Sequence, residues 1–418
     1  MVGMCEKKIL CSREPAFIYP VVFEMKQDLL RLAFHLFMNG LRFRCLKWLS
    51  RAGRPQALSL EITRRCIAKC MMCNIWKTPS DSPELAAAEW IHFLTSDLFS
   101  DLRELDITGG EPFLREDLTK VIEGVSALKR KRLTRLRSIA ITTNGLLSRS
   151  VVKKVETMLQ ILGGKGIDLV LVCAMDGIGE VHDRIRNFSN AWGRVDETLQ
   201  GLRGLREEHP GLIVGIKTTV VPLNVMELDR IVKYAETNDL FTIISPCIIT
   251  GGRYLNIDQA ESLAFGLGDT AAMLRFYRSE RFRWSFHAER LAQYLEKGVM
   301  RKPCTCGYNY LFVRSTGEVF LCPLINRSVG NVRTALIEEL FRSPEASRMR
   351  RRIGAYPQCR SCTEPGLERY ALPYEGFTYL SLMIRMGTKR FEGFHAHMGL
   401  DKYFEGAARS LRCIDADL

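Results

Sequence analysis

No apolar run in this chain is long enough to span a bilayer. The longest candidate, Leu32 to Leu41, is broken by His35, Asn39 and Gly40, whereas a spanning helix needs about 20 apolar residues. The start, Met1-Val2-Gly3-Met4-Cys5-Glu6-Lys7-Lys8, reaches charge almost at once and lacks the apolar stretch of a secretory leader. Cysteine is too thin, at 14 in 418 residues, for a disulfide-stapled scaffold. It is generous for an intracellular chain, and many of the cysteines fall in ligand-like spacings, which points to a reducing compartment and metal sites. These absences predict a cytoplasmic protein, soluble or peripheral to a membrane. With 46% hydrophobic residues, the chain can bury a core in one large domain and a smaller one.

Acidic charge is also short. The net charge of +13 favours anionic partners without choosing among them. Lys129, Arg130, Lys131, Arg132, Arg135 and Arg137 surround the end of a predicted helix, and Arg348, Arg350, Arg351 and Arg352 precede the last cysteine pair. Neither run is interleaved with aromatics as a single-strand nucleic-acid groove is. Both read as solvated faces, and nucleic acid is not an expected partner.

Residues 1–55 form a preamble. Leu29, Leu30, Ala33, Leu36 and Phe37 share one side of a helix predicted to break at Asn39-Gly40. Apolar and basic residues then mix through Arg42, Arg44, Lys47, Arg51 and Arg54. Such a segment packs on the main domain or rests on a membrane surface. From Ala57 the pattern alternates. Strands are predicted at 57–62, 104–107, 138–142, 169–173, 212–220 and 241–248. Helices are predicted at 83–95, 116–129, 150–162, 191–208 and 224–238. Alternation of this kind predicts an α/β fold, a partial (β/α)6 TIM-like barrel over 56–255, with ligands at the C-terminal ends of its strands. A helical bridge (256–300), a small cysteine-rich module (301–366) and a tail (367–418) follow.

The most informative segment is Cys66-Ile67-Ala68-Lys69-Cys70-Met71-Met72-Cys73. Three thiolates at this spacing suit three corners of a cubane iron–sulfur cluster and leave the fourth iron open. Zinc sites usually have four ligands, and no fourth Cys or His lies nearby in sequence. Site-like loops follow the next three strands as well: Gly109-Gly110-Glu111-Pro112, Asn144-Gly145 and Asp176-Gly177. In the small module, Gly317 predicts a tight hairpin that brings Cys304 or Cys306 against Cys322. With Cys359 and Cys362 these make four thiolates, which would suit either a second cluster or zinc.

From Ala57 to about Cys362 the chain resembles the radical S-adenosylmethionine (SAM) enzymes that carry a SPASM or twitch extension. The resemblance implies that Cys66, Cys70 and Cys73 hold a [4Fe–4S] cluster whose open iron is chelated by SAM. Reductive cleavage of SAM then yields a 5′-deoxyadenosyl radical that abstracts a substrate hydrogen. It further implies SAM contacts from Gly109, Gly110, Glu111, Pro112, Asn144, Asp176 and Arg186, with Glu111 receiving the SAM ammonium and Arg186 its carboxylate. Arg186 is alternatively a surface ion-pair partner of Asp183 or Glu180. The chain departs from the family's pattern at Ala174, where a hydroxyl is common. By the same resemblance, Cys304, Cys322, Cys359 and Cys362 hold one auxiliary [4Fe–4S] cluster in the short, twitch form, with Cys306 as substitute for Cys304. A reductase such as a flavodoxin or ferredoxin is the implied electron donor. The expected substrate is a small, polar or phosphorylated molecule. A membrane lipid or lipid-linked substrate, a peptide-modifying maturase and a non-enzymatic iron–sulfur or zinc scaffold are the alternatives. Cys5, Cys11, Cys45, Cys173, Cys247 and Cys413 read as small buried hydrophobes, with Cys247 near enough to the sixth strand's end to reach the cavity.

Overall fold

The computed structural model describes residues 18–78 and 83–404; Cys5, Cys11, Cys413 and the start of the chain lie outside them. Helix α1 (Ile18–Leu49) is followed by β1 (Ala57–Thr63), α2 (Ala87–Leu94), β2 (Glu104–Gly109), α3 (Leu118–Leu128) and β3 (Ser138–Thr143). Next come α4 (Ser148–Leu162), β4 (Asp168–Ala174), α5 (Glu180–Arg186), α6 (Ala191–Glu208), β5 (Leu212–Val220), α7 (Leu228–Thr237) and β6 (Phe241–Pro246). Helices α8 (Leu267–Tyr277) and α9 (Phe286–Lys297) bridge to β7 (Tyr310–Val313), β8 (Glu318–Phe320) and β9 (Gly330–Asn331). The chain continues as α10 (Ile337–Arg342), α11 (Pro344–Arg351), α12 (Pro365–Glu375), α13 (Phe377–Met386) and α14 (Thr388–His397).

The six predicted strands are parallel and adjacent in chain order, as alternation with crossover helices requires. β1 is buried along its whole length, as expected of a strand covered on both faces. The cysteine-rich segment does not stand apart from this sheet. β7 pairs in parallel with β1, Ala57 opposite Tyr310, and the antiparallel β7–β8 hairpin turns at Gly317 (φ 92°). The nine-stranded sheet therefore runs continuously from β6 to β9.

Two sequence expectations fail here. The first helix does not break at Asn39-Gly40 but continues to Leu49. Asn39 Nδ2 donates to the Pro373 carbonyl at 2.9 Å, and a Cβ on Gly40 would stand 2.1 Å from the Phe377 ring. Gly40 is thus a close-approach point for α12 and α13, at a modest cost in helix propensity. The buried face is Leu32, Leu36, Gly40 and Phe43, while Leu30 and Phe37 face outward. The second failure is Arg350. It is not solvated: it donates to the carbonyls of Gly307 and Phe341 inside the module. The other basic run is exposed and tied locally, Arg132 to Asp97 and Arg135 to Asp101. The tail folds back, burying Leu372, Tyr379, Phe391 and Phe394 against Leu32, Leu36 and Phe286. Burial of each such side chain contributes about 1.5–3 kcal/mol.

Candidate active site

All the site-like loops emerge where the β-strands end. Directly after β1, the Cys66–Cys73 loop is pinned from below by backbone bonds from Lys69 and Met71 to the carbonyls of Arg186 and Ile185. Cys66, Cys70 and Cys73 all line one cavity, with Asn144 Nδ2 3.7 Å from the Cys66 sulfur and Arg186 Nη1 3.5 Å from that of Cys70. The Trp76 indole donates to the Cys73 carbonyl at 3.1 Å, closing the loop's far side. Burial pushes the Cys66 thiol up to about 11 and the Cys73 thiol up to about 12, and proximity of the sulfurs adds to both shifts. Ligation here would therefore expel protons.

Gly109 and Gly110 are required by close approach. Gly109 has φ 147°, and a Cβ at either glycine would sit 2.2–2.3 Å from the carbonyl oxygens of Thr63 or Arg65. Both glycines line the cavity, but Glu111 does not. Its carboxylate lies wholly inside, accepting from the backbone N–H groups of Phe113 (3.0 Å) and Asn144 (2.7 Å) and from the Thr143 hydroxyl. Pro112 opens the short turn that presents the Phe113 N–H. Glu111 thus braces two loops against each other. Burial raises its carboxyl from an ordinary 4.5 to about 7, against the pull of those donors. In that window the folded state holds a proton that the unfolded state has released, so stability falls as pH rises. Glu111 is expected to contribute a decline in the denaturation midpoint of the metal-free chain from about pH 4.5 to about pH 7, and Glu111→Gln should make that slope shallower.

Arg186 is neither exposed nor paired with Asp183 or Glu180. Its Nη2 lies 2.5 Å from Asp176 Oδ2 in a pair buried on both sides. Its Nε, also buried, has no acceptor among the described residues. The Arg186 side chain lines the cavity, so its guanidinium stands at the cavity wall. Asp176 is set by the Thr219 N–H (2.8 Å) and by Asn224, which donates to its carbonyl. It stands behind Arg186 and outside the cavity lining.

On β5, Lys217 and Thr219 face the cavity, whereas Thr218 turns inward and donates to the Met175 carbonyl. Cys247 lines the cavity as well. Sequence reasoning missed Arg253 and Glu364. Arg253 donates to Thr108 at 2.7 Å, and Glu364 lies 3.7 Å from Lys217. Burial alone would raise Glu364, yet Lys217, Arg253 and Lys302 hold its carboxyl down at about 2. The only local signal was the position of Glu364 two residues after Cys362; Arg253 had none.

In the module, Cys304, Cys322, Cys359 and Cys362 line a second cavity of about 250 Å3, next to Lys302. Cys306 is outside that lining, buried behind it, bridged to Tyr310 and hydrogen-bonded to Cys304 and Cys322. The Cys306 thiol donates to Cys304 and draws it down to about 7. The open space between four thiols suits a multi-iron cluster better than zinc.

The model of the radical SAM superfamily matches residues 60–235, and that of the SPASM iron–sulfur cluster-binding domain matches residues 304–363. Pre-heme d1 synthase of Dinoroseobacter shibae is 28% identical over 203 residues, 48% of this chain and 46% of the relative, so this chain spans about half of that protein's length. AdoMet-dependent heme synthase of Methanosarcina barkeri is 24% identical over 70% of this chain and 84% of its own. Streptococcus suis SuiB, solved bound to S-adenosylmethionine, shares the fold with a TM-score of 0.52 at 13% identity, over 74% of this chain and 72% of SuiB. With a cysteine trio at the mouth of a parallel α/β sheet and four further thiols around a second cavity, the chain carries a radical SAM domain over residues 60–235 and a SPASM-type iron–sulfur domain over residues 304–363.

Proposed function

We propose that this enzyme abstracts hydrogen from a small anionic substrate, one bearing phosphate or carboxylate, held opposite the cysteine trio. The observation that carries this reading is the shared cavity: Cys66, Cys70 and Cys73 on one wall, Lys217 and Arg253 on another. When bound, the [4Fe–4S] cluster and SAM supply one-electron cleavage and hydrogen abstraction. Cys66, Cys70 and Cys73 would hold that cluster. The Gly109-Gly110 backbone, Asn144 and the Arg186 guanidinium would orient SAM, with Glu111, Pro112 and Asp176 bracing them. Cys304, Cys322, Cys359 and Cys362 would hold one auxiliary [4Fe–4S] cluster. Thr363 and Glu364, next in the chain after Cys362, reach into the substrate cavity, which suits an electron path from substrate to auxiliary site. A flavodoxin or ferredoxin would deliver the first electron.

Among the ionised groups of the substrate wall, Lys217 and Arg253 outnumber Glu364. Burial favours the neutral form of Lys217, but Glu364 keeps it protonated. Two cations facing one carboxylate in a desolvated cavity attract a further anion. Residues 1–55, 256–300 and 301–366 would serve as packing preamble, bridge and cluster module around the barrel at 56–255.

The test uses anaerobically reconstituted protein with dithionite and SAM, supplied with small-molecule extract fractionated by charge. Release of 5′-deoxyadenosine should be stimulated by anionic fractions, and Arg253→Gln should weaken that stimulation by on the order of tenfold or more. Stimulation confined to neutral or peptide fractions would refute the anionic assignment.

A further inference from the structure

Helix α1 has two apolar faces, and among the described residues only one is covered. Leu32, Leu36 and Phe43 pack inward. Leu30, Phe34, Phe37, Met38, Leu41 and Trp48 are exposed, Leu30 by 71%, Phe34 by 62% and Trp48 by 85%. At about 100° per residue these six side chains fall within an arc of about 100° along the helix. A contiguous stripe of this size is uncommon on a soluble surface and marks a docking site. The helix is nevertheless not long and apolar enough to cross a membrane.

The charge around the stripe identifies its occupant. No Asp or Glu occurs from Leu29 to Leu60, while Arg42, Arg44, Lys47, Arg51 and Arg54 do. Arg44 is anchored to Glu375 and over the Phe377 ring, at one edge of the stripe. Arg42 is exposed at the other edge. Where the stripe ends, Leu49 and Ser50 enter a cleft of about 570 Å3 whose other walls include Arg51, Arg342, Ser347 and Arg351. Arg51, Arg342 and Arg351 are exposed, and among the described residues no acidic side chain lines the cleft. A groove of arginines and serines contiguous with exposed Trp48 matches the two zones of a lipid surface, phosphate above and acyl chain below.

We infer that α1 and this arginine cleft dock the enzyme onto an anionic phospholipid bilayer. The apolar stripe inserts at the headgroup boundary and the cleft takes a lipid phosphate. This docking is independent of which substrate the cavity accepts.

The test is co-sedimentation of the full chain with vesicles of phosphatidylcholine alone or with one-third phosphatidylglycerol, alongside light scattering without lipid. Binding is expected only to the anionic vesicles and should weaken with salt. Phe34→Ser with Trp48→Ser should lower partition by on the order of tenfold. Arg51→Gln with Arg342→Gln and Arg351→Gln should lower it by roughly a hundredfold. All these positions lie at the surface, so thermal unfolding should be unchanged. The proposal is overturned by absence of binding to the anionic vesicles, by equal binding to neutral vesicles, or by undiminished binding of both variants. It is equally overturned if the chain is a dimer in solution that the Phe34→Ser, Trp48→Ser variant dissociates, because the stripe is then a subunit interface.

Discussion

Replacing Cys70 with alanine abolishes 5′-deoxyadenosine release by the reconstituted protein, a loss of roughly a thousandfold or more. Cys70 is the central sulfur of the trio, lines the cavity and stands 3.5 Å from Arg186. With one of three ligands gone, the cluster is not retained, because the fourth iron corner has no protein thiolate to compensate. Iron content should fall from about eight to about four atoms per chain. Cys306→Ala should leave it near eight, since that thiol sits behind the second cavity instead of lining it. A Cys70→Ala protein with full iron and undiminished SAM cleavage would remove the basis for the proposed cluster site.

Asp176→Ala should cost about 3–5 kcal/mol of stability, read as the denaturant midpoint of the metal-free chain. The substitution removes the carboxylate that offsets the burial of Arg186, whose guanidinium stays charged because it does not deprotonate. The guanidinium would then be buried with a thiol as its remaining neighbour among the described contacts. Adding Arg186→Met should recover much of that loss, since replacing both charges with apolar bulk is far cheaper than stranding one. The double variant should still cleave SAM poorly, which separates the fold's need for the pair from the site's need for the guanidinium. If Asp176→Ala shifts the midpoint by less than about 1 kcal/mol, the pair is not the desolvated one described.

Much of the architecture is legible because it is written in neighbours along the chain. Strand periodicity located β1 to β6 within a few residues, and the spacing of Cys66, Cys70 and Cys73 places three sulfurs on one loop whatever surrounds it. The hairpin at Gly317 was equally local, because a positive φ at a glycine forces the turn. Other features depend on segments far apart in sequence. Asn39-Gly40 looks like a helix stop until Phe377 is packed against it. Glu111 reads on sequence only as a ligand for a cosubstrate, and packing adds the backbone donors of Asn144 and Phe113 around its carboxylate. Arg186 had two candidate acids on its own helix and pairs with Asp176 on the preceding strand-end loop.

By itself, then, the sequence determined the α/β alternation, the loops that bear the cysteines and the family they resemble. Those follow from steric and hydrogen-bonding preferences acting over a few residues. Only the tertiary structure decided that Arg253 and Glu364 share a cavity with the trio, that Cys306 stands behind its four neighbours, and that α1 keeps a second apolar face uncovered by the other described residues. Each of these depends on which distant surfaces meet, and that is settled by packing and desolvation across the whole chain.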